Sequence, residues 1–71
     1  MNKRHLVKYI HEGEYVAEVD VELIDTAEGW SPYLSLEDAD KLDEVRMALR
    51  SGDLKQASRH SRIYRMTPIP V

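Results

Sequence analysis

The sequence contains no cysteine, so neither a disulfide bond nor a thiolate metal site can stabilise the fold. The three histidines, His5, His11 and His60, do not form an HxxxH pair, which speaks against a structural zinc site. No apolar run approaches the roughly 18 residues of a membrane-spanning helix, and no apolar stretch follows the basic residues at the start. We therefore expect a cytoplasmic protein with no membrane segment, signal peptide, metal or other cofactor.

The chain is also short, which limits the core that it can build. Its 71 residues predict one domain covering residues 1–71. A chain of this size buries only about 60% of the surface that its unfolded form exposes. Because disulfides and metals are excluded, tight packing or a second chain has to supply stability. We expect a dimer or a complex with another protein.

Acidic and basic residues are unevenly distributed along the chain. Residues 1–11 contain three basic residues and no acidic one, whereas residues 12–44 contain twelve carboxylates against Lys41. Residues 45–71 contain six lysines or arginines against Asp53. Two interpretations stay open: the segments neutralise each other within the fold, or they form an interaction surface.

A β-hairpin is predicted over residues 4–24. Apolar residues alternate with polar ones along its second half, which is typical of a half-buried strand; they are Tyr15, Ala17, Val19, Val21 and Leu23. Residues 6–10 predict the first strand, and Glu12-Gly13 predicts the turn. This turn places Ile10 opposite Tyr15 and His5 opposite Asp20.

Two helices follow a loop over residues 25–34. Ser35 is a predicted N-cap with Asp38 at the third helical position, and residues 36–50 carry an apolar stripe at helical spacing, formed by Leu36, Ala39, Leu42, Val45 and Leu49. Gly52 is a natural residue for the helix end. Asp53 predicts the N-cap of a second helix over residues 54–60.

Residues 62–67 predict a last strand that ends before Pro68. The element order is then β-β-α-α-β. We predict an α+β fold in which two helices cover one face of a three-stranded, mainly antiparallel sheet. In the loop, Trp30 and Tyr33 either cap this core or, if exposed, anchor a partner.

The favoured function is that of a protein-binding module, and an enzyme is not expected. An acidic surface would meet a basic protein or a second copy of the chain, with no small-molecule substrate. The candidate contact residues are Glu18, Asp20, Glu22, Trp30, Tyr33, Glu37, Asp40, Asp43 and Glu44.

The alternative function is a nucleic-acid-binding regulator that uses the basic last third of the chain. Two capped helices joined by Ser51-Gly52-Asp53 have the outline of a helix-turn-helix, and the second helix would offer Lys55, Arg59 and Arg62 to a groove. Catalysis ranks last, because no nucleophile accompanies the predicted pair of His5 and Asp20.

A resemblance adds to this interpretation. The segments GWSPYLSLEDA at residues 29–39, LDEVR at 42–46 and ALRSGDL at 48–54 resemble a group of small bacterial proteins of unassigned activity. The similarity covers about residues 14–69 and implies an antitoxin-like role, as the partner of a toxin. The hairpin followed by the LEDA helix is also similar in outline to HicB-type antitoxins.

Overall fold

Two long strands joined by a tight turn organise the structure. The computed structural model describes residues 2–25 and 31–71, and it confirms the predicted α+β class. The elements in chain order are β1 (Asn2–Glu12), β2 (Tyr15–Asp25), β3 (Tyr33–Leu34), α1 (Leu36–Arg50), α2 (Leu54–Ala57) and β4 (Arg62–Arg65). The strands form one antiparallel sheet. In the part of the chain that the structure describes, no helix is long and apolar enough to cross a membrane.

The hairpin turn lies one residue later than predicted. Its two central residues are Gly13 and Glu14, and Gly13 has a φ of 60°, as the first central residue of a type II′ turn requires. Ile10 therefore pairs with Ala17 instead of Tyr15, so the predicted register was wrong by two residues. Because side chains alternate with a period of two, this error leaves every residue on its predicted face.

Strand β2 is the central strand of the sheet. One of its edges pairs with β1 along the whole hairpin. The other edge pairs with β4 over residues 15–18 and with β3 at Leu23 and Ile24. The two-residue strand β3 follows Pro32 and adds a fourth strand to the three that we predicted.

Side chains of helix α1 form hydrogen bonds to the backbone of β2 in the gap between β3 and β4. The Asp38 carboxylate accepts a hydrogen bond from the Glu22 backbone N–H at 2.7 Å. The Lys41 ammonium donates to the Asp20 carbonyl at 2.6 Å. Asp38 and Lys41 also form an ion pair at 3.5 Å. Two side chains of α1 thus replace strand partners, and they hold the helix against this edge.

The core lies between one face of the hairpin and the two helices. Val19, Val21 and Val45 are its largest fully buried side chains; Ile10, Ala17, Ala48, Leu49 and Ala57 complete the buried set. Leu42 packs against this cluster from a half-buried position, as the predicted stripe requires. Trp30 lies outside the described residues.

Leu36 was wrongly predicted to face the core, since 78% of it is exposed. It is the first residue of α1, and it lies eleven positions before Met47, about three helical turns. Both residues therefore point to the side of α1 that faces away from the sheet, and 62% of Met47 is exposed.

The ends of α1 follow the predicted signals. The Ser35 hydroxyl accepts the Asp38 N–H at 3.1 Å. At the other end Gly52 has a φ of 78°, and its N–H reaches the Leu49 carbonyl while the Asp53 N–H reaches Ala48. This pair of bonds is the Schellman motif, which turns the chain directly into α2.

Helix α2 and strand β4 are both shorter than predicted. The hydroxyls of Ser58 and Ser61 donate to the carbonyls of Lys55 and Ala57, so they compete with the continuing helix. The predicted helix over residues 54–60 therefore ends at Ala57. Strand β4 ends at Arg65 because β2 begins at Tyr15, and the Met66 N–H bonds instead to the Glu14 carbonyl in the turn.

The core assignment predicts different costs for two leucines of the same helix. Leu49→Ala should lower the free energy of unfolding by about 2–5 kcal/mol, because it empties a buried site. Leu36→Ala should change it by less than about 0.5 kcal/mol, because the side chain is exposed. Urea unfolding followed by circular dichroism measures both values. Equal losses for the two variants would contradict the described packing of α1.

Candidate protein-binding site

A groove of about 510 Å³ runs between α1 and α2. It lies at the Schellman turn, where Ser51-Gly52-Asp53 joins the two helices, and both helices pack against the same face of the sheet. Acidic, small polar and apolar residues line it together: Asp40, Asp43, Glu44, Met47, Ala48, Ser51, Asp53 and Gln56. We call this feature the α1–α2 groove.

An exposed face of α1 extends from the groove towards the first residue of the helix. Leu36, Asp40, Asp43 and Met47 follow one another at intervals of four, three and four residues, which places them on one face of the helix. We call these four residues the α1 stripe. All four are exposed, and the two apolar members bracket the two carboxylates.

The carboxylates around the groove differ in how they are engaged. Glu44 contacts the His60 ring at 3.0 Å, and Asp43 lies 3.8 Å from Arg46. Asp53 caps α2 by accepting the Gln56 N–H at 3.0 Å. Within residues 2–25 and 31–71, no ion pair involves Asp40. The groove therefore presents negative charge that the fold neutralises only in part.

The predicted acidic surface is divided between two layers. Asp40, Asp43 and Glu44 come together at the α1–α2 groove. Because Val19 and Val21 point into the core, Asp20 and Glu22 point from the sheet face opposite the helices. The strand acids therefore do not form one patch with Asp40, Asp43 and Glu44, whereas Glu37 lies beside Asp20 and Glu22 at the edge of β2.

The strand acids are also more fully paired. Asp20 contacts His5 at 3.1 Å, and Glu22 lies 3.8 Å from Lys3. Both line a smaller groove of about 310 Å³ at the edge of β2, together with His5, Val21, Glu37, Asp38 and Lys41. Since Asp38 and Lys41 bond to the backbone of β2 there, this groove is part of the structural contact.

The Glu18 carboxylate contacts other side chains on the sheet face opposite the helices, which we call the open sheet face. It accepts hydrogen bonds from the Tyr9 hydroxyl at 3.2 Å and the Tyr64 hydroxyl at 3.3 Å, and Arg62 lies 3.6 Å away. The hydrogen bond to Glu18, then the negative charge of that carboxylate, raise the pKa of Tyr9 above its usual value. Partial desolvation and Tyr64 add to this effect.

The basic residues of the alternative interpretation do not line up on a helix. Lys55 belongs to α2, Arg59 lies beyond its end, and Arg62 begins β4 beside Glu18. Arg59 and Arg62 border a groove that also contains Glu18 and Asp20. A helix of four residues is shorter than the recognition helix that the sequence predicted.

Two loop residues of the predicted contact set have different outcomes. Tyr33 is exposed on β3 and does not line the α1–α2 groove. Trp30 lies outside the described residues. Sequence reasoning also missed Met47 and Asp53 as groove residues. For Met47 a signal was available: it is an apolar residue outside the inward stripe of α1.

Among the described residues, no group of three or more His, Cys, Asp or Glu side chains could hold a metal ion.

No known protein family, curated protein or solved structure matches this chain. The physical properties of the groove therefore carry the functional argument.

The Glu18 cluster predicts a raised pKa for Tyr9. Tyr9 should ionise at a higher pH than an unperturbed tyrosine, and Glu18→Gln should move its pKa back towards the usual value. Because the folded state raises this pKa, its stabilising effect is complete below the unfolded pKa and disappears as pH rises through the folded one. Absorbance titration of the tyrosinate, with Tyr9→Phe to assign the step, measures the shift. Glu37→Gln is the control, and an equal response in both glutamine variants would contradict the cluster.

Proposed function

We propose that the chain is a protein-binding module whose α1 stripe and α1–α2 groove bind a basic, amphipathic segment of a partner protein. One observation carries the proposal: exposed Leu36 and Met47 bracket Asp40 and Asp43 on a single helix face. Solvated helix faces are usually polar throughout. An exposed apolar pair with carboxylates between its members fits a contact surface better than a face that serves solubility alone.

The carboxylates and the apolar side chains of the proposed site contribute differently to binding. The carboxylates at the groove favour a basic segment and steer its approach. Met47 and the buried wall at Ala48 then offer the apolar contact that a purely electrostatic encounter lacks. The partner segment therefore combines lysines or arginines with at least one large apolar side chain.

The length of the stripe indicates the form of that segment. Leu36 and Met47 are eleven residues apart, so the stripe is about 16 Å long. A partner helix of three turns covers this length, with basic residues at its centre and apolar residues towards its ends. The antitoxin-like role that the resemblance implies is one in which a small acidic protein captures a basic partner.

The open sheet face is the weaker candidate. Its carboxylates Glu18, Asp20 and Glu22 each contact a basic or tyrosine side chain of the same chain. A partner would have to displace these contacts before it could use the charges. At the α1 stripe, Asp43 contacts Arg46 in the same way, but Asp40 needs no such exchange within the described residues.

The proposal predicts selective binding of an amphipathic basic helix. The probe is a fluorescein-labelled peptide of about 14 residues, composed of leucine and lysine with a helical period, and anisotropy measures its dissociation constant. The double variant Asp40→Lys, Asp43→Lys should weaken binding by about tenfold or more, because two attractions become repulsions. Met47→Ala should weaken it by a similar factor through lost apolar burial.

Matched controls separate this surface from charge in general. The double variant Asp20→Lys, Glu22→Lys changes the net charge equally on the sheet face, and it should leave the dissociation constant within about twofold. A scrambled peptide of the same composition should bind more weakly than the amphipathic one. Equal losses in both double variants, or equal binding of the scrambled peptide, would contradict the proposed site.

Duplex DNA should not bind with appreciable affinity, because α2 is short and Arg62 contacts Glu18. A gel-shift assay with random duplexes at several salt concentrations measures this. Tight binding with a log–log salt slope of about −0.9 per phosphate contact, lost on Arg59→Ala, would favour the nucleic-acid function instead.

A further inference from the structure

The segment after β4 is an exposed apolar arm. Residues 66–71 follow the last strand, and 81% of Ile69 is exposed, as is the whole of Val71. The Cα radius of gyration of the chain is 14.4 Å, whereas a compact domain of this length has about 11 Å. The molecule is therefore extended, with apolar side chains outside its single core.

Two prolines keep this arm extended. Pro68 and Pro70 each fix their own φ near −65°. Each also disfavours the helical region for the residue before it, which restricts Thr67 and Ile69 to β or polyproline conformations. The arm therefore loses little conformational entropy when it joins a sheet.

The sequence positions of the two prolines suit an arm that continues β4 as a strand. The Met66 N–H points towards the hairpin, where it bonds to the Glu14 carbonyl at 2.7 Å. N–H groups alternate between the two edges of a strand, so in such a continuation positions 68 and 70 share the direction of Met66. Both missing donors would then fall on the hairpin side. The N–H groups of Thr67, Ile69 and Val71 would face the opposite edge, which no described strand occupies.

The other free edge of the sheet is protected by charge. Strand β1 pairs only with β2 among the described strands, but it carries Lys3, Arg4 and Lys8. Charged residues, lysine above all, discourage pairing at an exposed edge. Strand β4 also carries two charged residues, Arg62 and Arg65, but the arm over residues 66–71 carries none.

From these observations we infer that the arm forms a homodimer by pairing antiparallel with the arm of a second copy, in a register centred on Thr67. Thr67 then lies opposite Thr67 of the second copy, Arg65 opposite Ile69, and Ile63 opposite Val71. Every hydrogen-bonded position has a donor, and both prolines occupy positions that need none. Centring the pairing on Arg65 would instead oppose two arginines, which is unfavourable.

This dimer uses neither α1 nor the α1–α2 groove, so it is independent of the proposed partner site. It joins two sheets into one continuous sheet across the two-fold axis, which is a common isologous interface. It also supplies the second chain that a small domain without disulfides or metals needs.

A charge-swap experiment tests the register. The wild-type chain should sediment at twice the 8.2 kDa mass of one copy. Thr67→Lys and Thr67→Glu should each shift the equilibrium towards monomer, because each places two like charges face to face. An equimolar mixture of the two variants should recover the dimer. Ser31→Lys adds the same charge at an exposed site away from the arm, and it should remain dimeric.

A cross-linking experiment gives a second readout on the otherwise native protein. The chain has no cysteine, so Thr67→Cys introduces a single thiol. Directly opposed residues of antiparallel strands are close enough for a disulfide, so mild oxidation should give a covalent dimer rapidly. Ser31→Cys should cross-link much more slowly. A monomeric wild type, a dimer unaffected by both charged variants, or equal cross-linking of the two cysteines would overturn the inference.

Discussion

The backbone hydrogen bonds of β2 are the constraint on which the rest of the structure depends. This strand is central, so both of its edges need partners, and β1 supplies one edge completely. Within residues 2–25 and 31–71, the other edge pairs with two short strands, and a gap lies between them. Asp38 and Lys41 bond to the backbone of Glu22 and Asp20 in that gap. An unpaired polar group at this position would cost free energy, so the contact favours a fixed place for α1.

The same contact decides which residues of α1 face solvent. With Asp38 and Lys41 directed at the sheet edge, Val45 and Leu49 point into the core. The opposite side of the helix then presents Asp40 and Met47 to solvent, next to α2. The candidate binding surface is in this sense a consequence of how the sheet is completed. If α1 were rotated so that each side chain took the direction of its neighbour, Asp38 and Lys41 would no longer reach the backbone of β2. The α1 stripe would then no longer have its present exposed position.

Local signals in the sequence predicted most of the fold. The Ser35 cap, the Gly52 terminus and the alternation in β2 each act within a few residues, and each predicted its element correctly. The hairpin register failed because it depends on which residue of the turn takes a positive φ. Helix α2 was predicted too long because serine side chains compete for its carbonyls. Both errors concern choices between similar local conformations.

The candidate site was harder to predict than the fold. The sequence identified Asp40, Asp43 and Glu44 from charge, but it grouped them with the acids of β2, which point from the other sheet face. Only the packing of α1 separates these two sets. Met47 was missed because the contact set was chosen by charge and aromatic character, although its position outside the inward stripe of α1 marked it as an exposed apolar residue. The groove between α1 and α2 depends on the Schellman turn together with the sheet beneath both helices.

Amide hydrogen exchange at Glu22 tests most directly whether α1 completes the sheet. In the wild-type protein the Glu22 amide should exchange slowly, like its neighbours in β2, because the Asp38 carboxylate accepts its N–H. Asp38→Ala should accelerate exchange at this amide more than at Val21, which faces the intact β1 edge. Asp38→Asn retains an acceptor oxygen and should preserve most of the protection. Fast exchange in the wild type, or no selective change in Asp38→Ala, would contradict the account.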